Sequence, residues 1–243
     1  MILTFAQGSG PVIPDFGRGD ECIRENGNFC VKWFLDNFSD RFWPRVVEHI
    51  ELTLIAMSFG MVIAFLAALL AYRYTKFELP FANLMALFYT IPSIALFQIM
   101  VPITGIGWTT VEIALISYTL LILFRNTLTG LQEVPDESKE AAEGMGLTRR
   151  QTLMRVELPL AVPAIIAGVR VATVTTISLA TVGAFITPLG LGAPIFSAIQ
   201  TGANTEFVAA SLLAIALALI ADVLIVLLQR VLTPWVRARS LAR

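Results

Sequence analysis

The chain of 243 residues is short of charge. Asp, Glu, Lys and Arg make up 14% of it, against 56% hydrophobic residues, whereas a soluble globular domain carries roughly 25% charged residues. So few charges cannot clothe a water-facing exterior, which excludes an ordinary soluble domain and points to a surface covered by lipid. There is one histidine, His49, and there are two cysteines, Cys22 and Cys30, too few for a histidine-built metal centre or a disulfide-dense scaffold. No glycine is followed by lysine, so the phosphate-binding Walker loop is missing, and no Gly-x-Ser offers an intramembrane serine nucleophile. Gly17-Arg18-Gly19-Asp20 has the Gly-x-Gly-Asp spacing of intramembrane aspartyl proteases, but it falls in a polar segment and no Tyr-Asp pair exists to partner it. We read it as a chance match, and an enzyme function finds no residues to carry it.

What the chain has instead is long apolar runs. About 20 apolar residues suffice for a helix to cross a hydrocarbon core of roughly 30 Å, and five runs qualify: 52–72, 79–103, 111–124, 160–186 and 207–228. The third is the shortest and is expected to extend through Trp108 and Asn126. The predicted fold is an all-α integral membrane protein of five transmembrane helices. Short cytoplasmic loops collect Lys and Arg, which orients the spans. Arg73 and Lys76 follow the first run, Arg125, Lys139, Arg149, Arg150 and Arg155 lie between the third and fourth, and Arg230, Arg237, Arg239 and Arg243 follow the fifth. The alternate loops, 102–110 and 187–206, contain neither residue. The expected topology has the N-terminus outside and the C-terminus in the cytoplasm. The divisions follow: an extracytoplasmic segment 1–49, a membrane domain 50–235 with a cytoplasmic loop at 132–159, and a tail 236–243.

Residues 1–49 are polar and spotted with Gly and Pro, without the apolar core of a cleavable signal peptide. From Trp33 to Val47, Phe34, Phe38 and Phe42 recur every four residues among Asp36, Asp40 and Arg41. That pattern predicts an amphipathic helix, either lying on the outer membrane surface or packed on the protein. Pro44 is expected to bend or end it. Cys22 and Cys30 both fall on the outer side, where a disulfide can persist; pairing and two free thiols are both open readings.

The most specific segment is the polar stretch from Glu140 to Pro159. It reads Glu140-Ala141-Ala142, three residues, Gly146, nine residues, then Val156, one residue, Leu158-Pro159. The acidic start and alanines predict a short helix from about Pro135. Gly146 is placed to end it, and Thr148 to cap a second helix leading into the fourth run. The spacing resembles the cytoplasmic signature of ABC-importer permeases. The resemblance implies a type I permease fold, and it makes this elbow the knob that fits a cleft on a separate ATP-binding subunit. On that reading Ala141, Ala142 and Gly146 allow close approach and Glu140 offers a carboxylate to the partner.

Further residues extend the resemblance over roughly 50–235. Tyr89-Thr90-Ile91-Pro92-Ser93, Gly105-Ile106-Gly107, Arg125-Asn126-Thr127 with Gly130-Leu131, Val156 to Pro163, Gly168-Val169-Arg170, Gly190-Leu191-Gly192 and Asp222 are similar to the permeases that import glycine betaine, choline, carnitine and related quaternary amines. Pro188-Leu189 and Ser197-Ala198 stand where that family usually has further glycines, which leaves the solute open; methionine, phosphonate and sulfonate importers share the elbow. An ion-coupled secondary transporter is a different class, but five spans cannot form two equal inverted halves, and it leaves the elbow unexplained.

Charged residues at membrane depth are costly unless paired or wetted. Arg170 lies eleven residues after Pro159 and Asp222 eight before Arg230, which at 1.5 Å per residue puts both on the order of 12 to 16 Å above the inner surface. Equal depth predicts an ion pair. Glu112, one turn from Trp108, is a candidate to attract a quaternary ammonium with the indole face, although a tryptophan there is also an ordinary interface anchor. Pro92 must kink or break the second span, which makes Ile91, Pro92 and Ser93 candidates to line the pathway.

The resemblance also implies the partners: two copies of an ATP-binding subunit, a second permease chain identical or related, an extracytoplasmic solute-binding protein and the lipid bilayer, with no nucleic acid. No cofactor is expected on this chain, since ATP and Mg belong to the partner. The implied location is the bacterial or archaeal cytoplasmic membrane.

Overall fold

The computed structural model describes residues 21–235, and among these every regular element is helical. After a turn at Glu21–Arg24, α1 runs Val31–Arg73, α2 Thr75–Thr90, α3 Ser93–Thr104, α4 Trp108–Gln132, α5 Asp136–Gly144, α6 Arg149–Gly183, α7 Gly192–Thr201 and α8 Asn204–Leu232. Four of these, α1, α4, α6 and α8, are long and apolar enough to cross a membrane singly, and α2 with α3 makes a fifth, broken one. The Gly17 to Asp20 match and the 236–243 tail lie outside the described residues.

The core is a parallel pair, α1 and α4, with α6 against them. Alanines on α1 (Ala64, Ala67, Ala68, Ala71) meet Leu123, Phe124 and Leu128 of α4, all essentially buried. Water drives no helix association inside a bilayer, so small residues that let backbones close in do the work. Gly60 faces Thr119, Gly130 faces Ala161 and Ala164, and a Cβ on Gly168 would stand 2.5 Å from the Asn126 Cβ. By contrast, α8 leaves Leu212, Ile215, Leu219, Val223 and Leu227 outward, each about half exposed.

Pro44 does not end a helix. One continuous helix runs from Val31 through Arg73 because a single wide turn at Phe38–Phe42, in which the Trp43 N–H donates to the Phe38 carbonyl five residues back, precedes the proline. The proline then occupies a new first turn, where its missing N–H leaves nothing unpaired. At 1.5 Å per residue the helix is roughly 65 Å long, well beyond one bilayer core, so its first third projects. Of the two readings for that third, the structure packs it on the protein: Phe42 is fully buried, with Trp33, Phe34 and Phe38 around it, against Ala209 and Ala210 of α8.

The second span is broken rather than kinked, with 101° between α2 and α3. Ile91 is extended, as a residue before proline prefers, and Pro92 opens α3. The Tyr118 hydroxyl of α4 donates to the freed Ile91 carbonyl. The pair still traverses the layer. It begins where Gln132 of α4 donates to Glu78 at 3.2 Å and ends where the Thr104 and Thr110 hydroxyls bond at 2.6 Å near the start of α4.

Candidate functional site

The elbow sits at one end of the bundle. Asp136 and Glu137 occupy the first turn of α5, where a helix N-terminus favours negative charge. Its far end closes in a Schellman arrangement: Leu147 N–H donates to the Ala142 carbonyl at 3.1 Å and Gly146 N–H to the Glu143 carbonyl at 2.8 Å, with Gly146 at φ +80°. A reciprocal capping box then starts α6, the Gln151 amide oxygen accepting from the Thr148 N–H at 2.8 Å. A second wide turn, Leu153–Glu157, with Leu158 N–H donating to the Leu153 carbonyl, admits Pro159 into α6 as the first one admits Pro44 into α1. Glu140, Ala141 and Gly146 are exposed, and nothing stands within 4 Å of a Cβ built on Gly146. Ala142 departs from the expectation that it faces a partner: it is fully buried, because its carbonyl and side chain belong to the turn's own packing. Leu158 and Pro159 are half-buried at the base.

The opposite end is a clasp. Cys22 and Cys30 form a disulfide, closing a loop whose tip, Asn26, has φ +54°. That loop grips the junction of α7 and α8. Asn26 donates to the Gly202 carbonyl at 2.8 Å and accepts from the Asn204 N–H at 3.0 Å, while the Thr205 hydroxyl donates to the Gly27 carbonyl at 2.8 Å and accepts from the Cys30 N–H at 3.1 Å.

Beside it lies a latch that sequence reasoning missed. His49 is fully buried; its Nε2 bonds the Ile177 carbonyl at 3.0 Å and its Nδ1 accepts from the Leu191 N–H at 3.2 Å, which requires the neutral, Nε2-protonated ring. Glu48 accepts from the Gly190 N–H at 2.9 Å and from Arg45 at 2.7 Å, and Arg45 also donates to the Pro188 carbonyl. Gly190 has φ +56°, and a Cβ there would stand 2.7 Å from His49 Nδ1. The signal available in the sequence was a lone histidine entering an apolar span, together with glycines in the 187–206 loop.

The remaining candidates divide. Arg170 and Asp222 meet in a two-pronged bond, Nε to Oδ1 at 2.8 Å and Nη2 to Oδ2 at 2.9 Å, joining α6 to α8. Ile91 and Ser93 are half-buried and Pro92 is exposed at the break between α2 and α3. Trp108 packs at the edge of the core around Phe97 and Leu115. Glu112 is not open to a solute: it is 5% exposed, and neither carboxylate oxygen has a partner among the described residues. Its place on the packed face of α4 seals it in this conformation.

A family model described as the binding-protein-dependent transport system inner membrane component matches residues 51–238. The chain belongs to that family. Within it, the permease is similar to the choline transport system permease protein OpuBB of Bacillus subtilis, 31% identical over 83% of this chain and 93% of the relative. It is 35% identical to the osmoprotectant import permease protein OsmW of Salmonella typhimurium, over 84% of this chain and 97% of that one. Among solved structures, a chain of the MetNI methionine ABC transporter in an inward-facing conformation superposes with a TM-score of 0.68 at 23% identity, covering 77% of this chain and 94% of that chain. The fold is thus that of a type I ABC importer permease. The elbow, the Arg170–Asp222 pair and the broken second span fall inside the family match; the disulfide loop of the clasp and the Glu48–His49 side of the latch precede it.

Proposed function

We propose that this permease carries osmoprotectants of the quaternary-amine class, glycine betaine, choline, carnitine or a similar solute, through alternating access driven by ATP. The observation that carries the solute class is the likeness to choline and osmoprotectant permeases, at 31% and 35% identity over more than four fifths of the chain. The elbow end faces the cytoplasm, in keeping with the Lys and Arg of its loops, and the clasp end faces outward. Glu140, Ala141 and Gly146, exposed on a rigidly capped turn, dock an ATP-binding subunit, with Ala142, Leu158 and Pro159 holding that turn on α6. This chain binds no cofactor; ATP and Mg are held by the partner. Two permease chains, each docked to one ATPase, enclose the pathway, Ile91, Pro92 and Ser93 contribute to its wall, and an extracytoplasmic binding protein delivers the solute.

The test is uptake of labelled glycine betaine and choline at high osmolarity, in cells with and without the gene and with other betaine uptake removed. Deletion is expected to abolish uptake, and the uptake that depends on the gene is expected to survive collapse of the ion gradients but to fail when ATP is depleted. Unchanged uptake would move the solute to another class, methionine first, and uptake that follows the ion gradient would overturn ATP-driven transport altogether.

A further inference from the structure

The elbow end holds a cavity that docking leaves unused. It is about 420 Å3 in volume and lies between the last turn of α1, which contributes Leu69, Tyr72 and Arg73, and the start of α6, which contributes Arg149, Arg150 and Leu153. Three guanidiniums thus border one opening, and none of them takes part in an ion pair among the described residues. Unbalanced like charges around a cleft raise the local concentration of anions. The single carboxylate on the wall, Glu157, is 8% exposed, so the three guanidiniums outnumber it at the opening.

The rest of the lining is apolar, and its continuation says what kind of anion fits. Phe59, Val62, Leu66 and Leu70 stand outward on α1, each 43–61% exposed, at the three- and four-residue spacing of a single stripe that Arg73 terminates. Met154, 59% exposed, continues the apolar surface on α6. The Arg73 guanidinium lies 5.6 Å from the centre of the exposed Tyr74 ring, an arrangement suited to the headgroup level. A soluble anion has no use for the stripe. An acidic patch on a docked protein would meet the guanidiniums at the opening but would leave the apolar stripe that leads up to Arg73 without a partner.

We propose that this cavity binds the phosphate headgroup of an anionic phospholipid, with an acyl chain lying along Leu66 and Leu70 and the headgroup bridging α1 and the elbow. Basic pockets between spans at the membrane surface are suited to this. The site requires only that the spans lie in a bilayer, whatever solute is moved.

The experiment is native mass spectrometry of the assembled, detergent-purified transporter, titrated with phosphatidylglycerol or phosphatidylcholine, for the native complex and for Arg73→Gln, Arg149→Gln, Arg150→Gln singly and together. We expect preferential retention of phosphatidylglycerol, weakened about fivefold per guanidinium removed, with lysine replacements keeping most of it and the ATP-binding subunit still attached. Unchanged retention in the triple variant would overturn the site. So would loss of the ATP-binding subunit with lipid retained, which would make the arginines protein contacts, or displacement by millimolar inorganic phosphate without any preference between the two lipids, which would make the ligand free phosphate. If the triple variant fails to assemble, the single variants and the lysine triple decide the matter.

Discussion

Arg170 and Asp222 neutralise each other across α6 and α8 where neither could stand alone. Removing one partner strands the other charge in a low-dielectric region, whereas removing both leaves an apolar contact that membrane helices tolerate. Asp222→Ala is expected to lower the melting temperature and the yield of folded protein, and adding Arg170→Met to restore most of both. A double variant no better than the single would break the pair's structural role. The pairing was legible in the sequence because helix arithmetic puts both residues at one depth. The state of Glu112 was not: a carboxylate one turn from a tryptophan reads as a cation lure, and only the packing of α4 shows its oxygens shut away from solvent. His49 was similarly opaque, since its partners lie 128 and 142 residues along the chain.

At the scale of elements, proline and glycine acted as local physics dictates, yet their consequences were only half predictable. Pro92 breaks the second span because the preceding residue must be extended and a carbonyl is freed, and Gly146 closes α5 with a positive φ. Pro44 was expected to bend or end its helix and is instead absorbed into a continuous one, just after a wide turn that supplies a fresh first turn, and Pro159 enters α6 in the same way, where the elbow's second helix was expected to lead into the fourth span. Whether a proline ends a helix or follows a bulge depends on what the next turn packs against, as Phe42 does on Ala209 and Ala210. The elbow's caps make its geometry stiff, and a branched residue at Gly146 costs on the order of 1–2 kcal/mol in the left-handed region. Gly146→Val and Glu140→Lys are expected to leave the spans folded while uptake falls roughly tenfold or more, a docking loss of about 1.4 kcal/mol being tenfold in affinity; solute-stimulated ATP hydrolysis should fall with it. Normal uptake in both would remove the docking role.

For the whole molecule, two tertiary devices at the clasp end tie distant parts of the chain together. The disulfide loop joins the projecting third of α1 to α8, and the Glu48–His49 latch joins α1 to the 188–191 turn. Closing a loop of this length lowers the entropy of the unfolded chain by an amount worth about 2–3 kcal/mol. Cys30→Ser, or a reducing agent, is therefore expected to lower the unfolding midpoint of the purified permease, read by tryptophan fluorescence in detergent. An unchanged midpoint would mean that the hydrogen bonds of Asn26 and Thr205 hold the clasp without the bridge. The number of apolar runs, their membrane character, the helix–turn–helix at 136–157 and the depth match of Arg170 with Asp222 were all determined by the sequence alone, because composition, helical rise and capping are local properties. Tertiary structure alone decided the continuity of α1 through Pro44, the inward turn of Ala142, the sealing of Glu112 and the clasp and latch. Each depends on contacts between residues far apart in the chain, and no local propensity encodes which of them will meet.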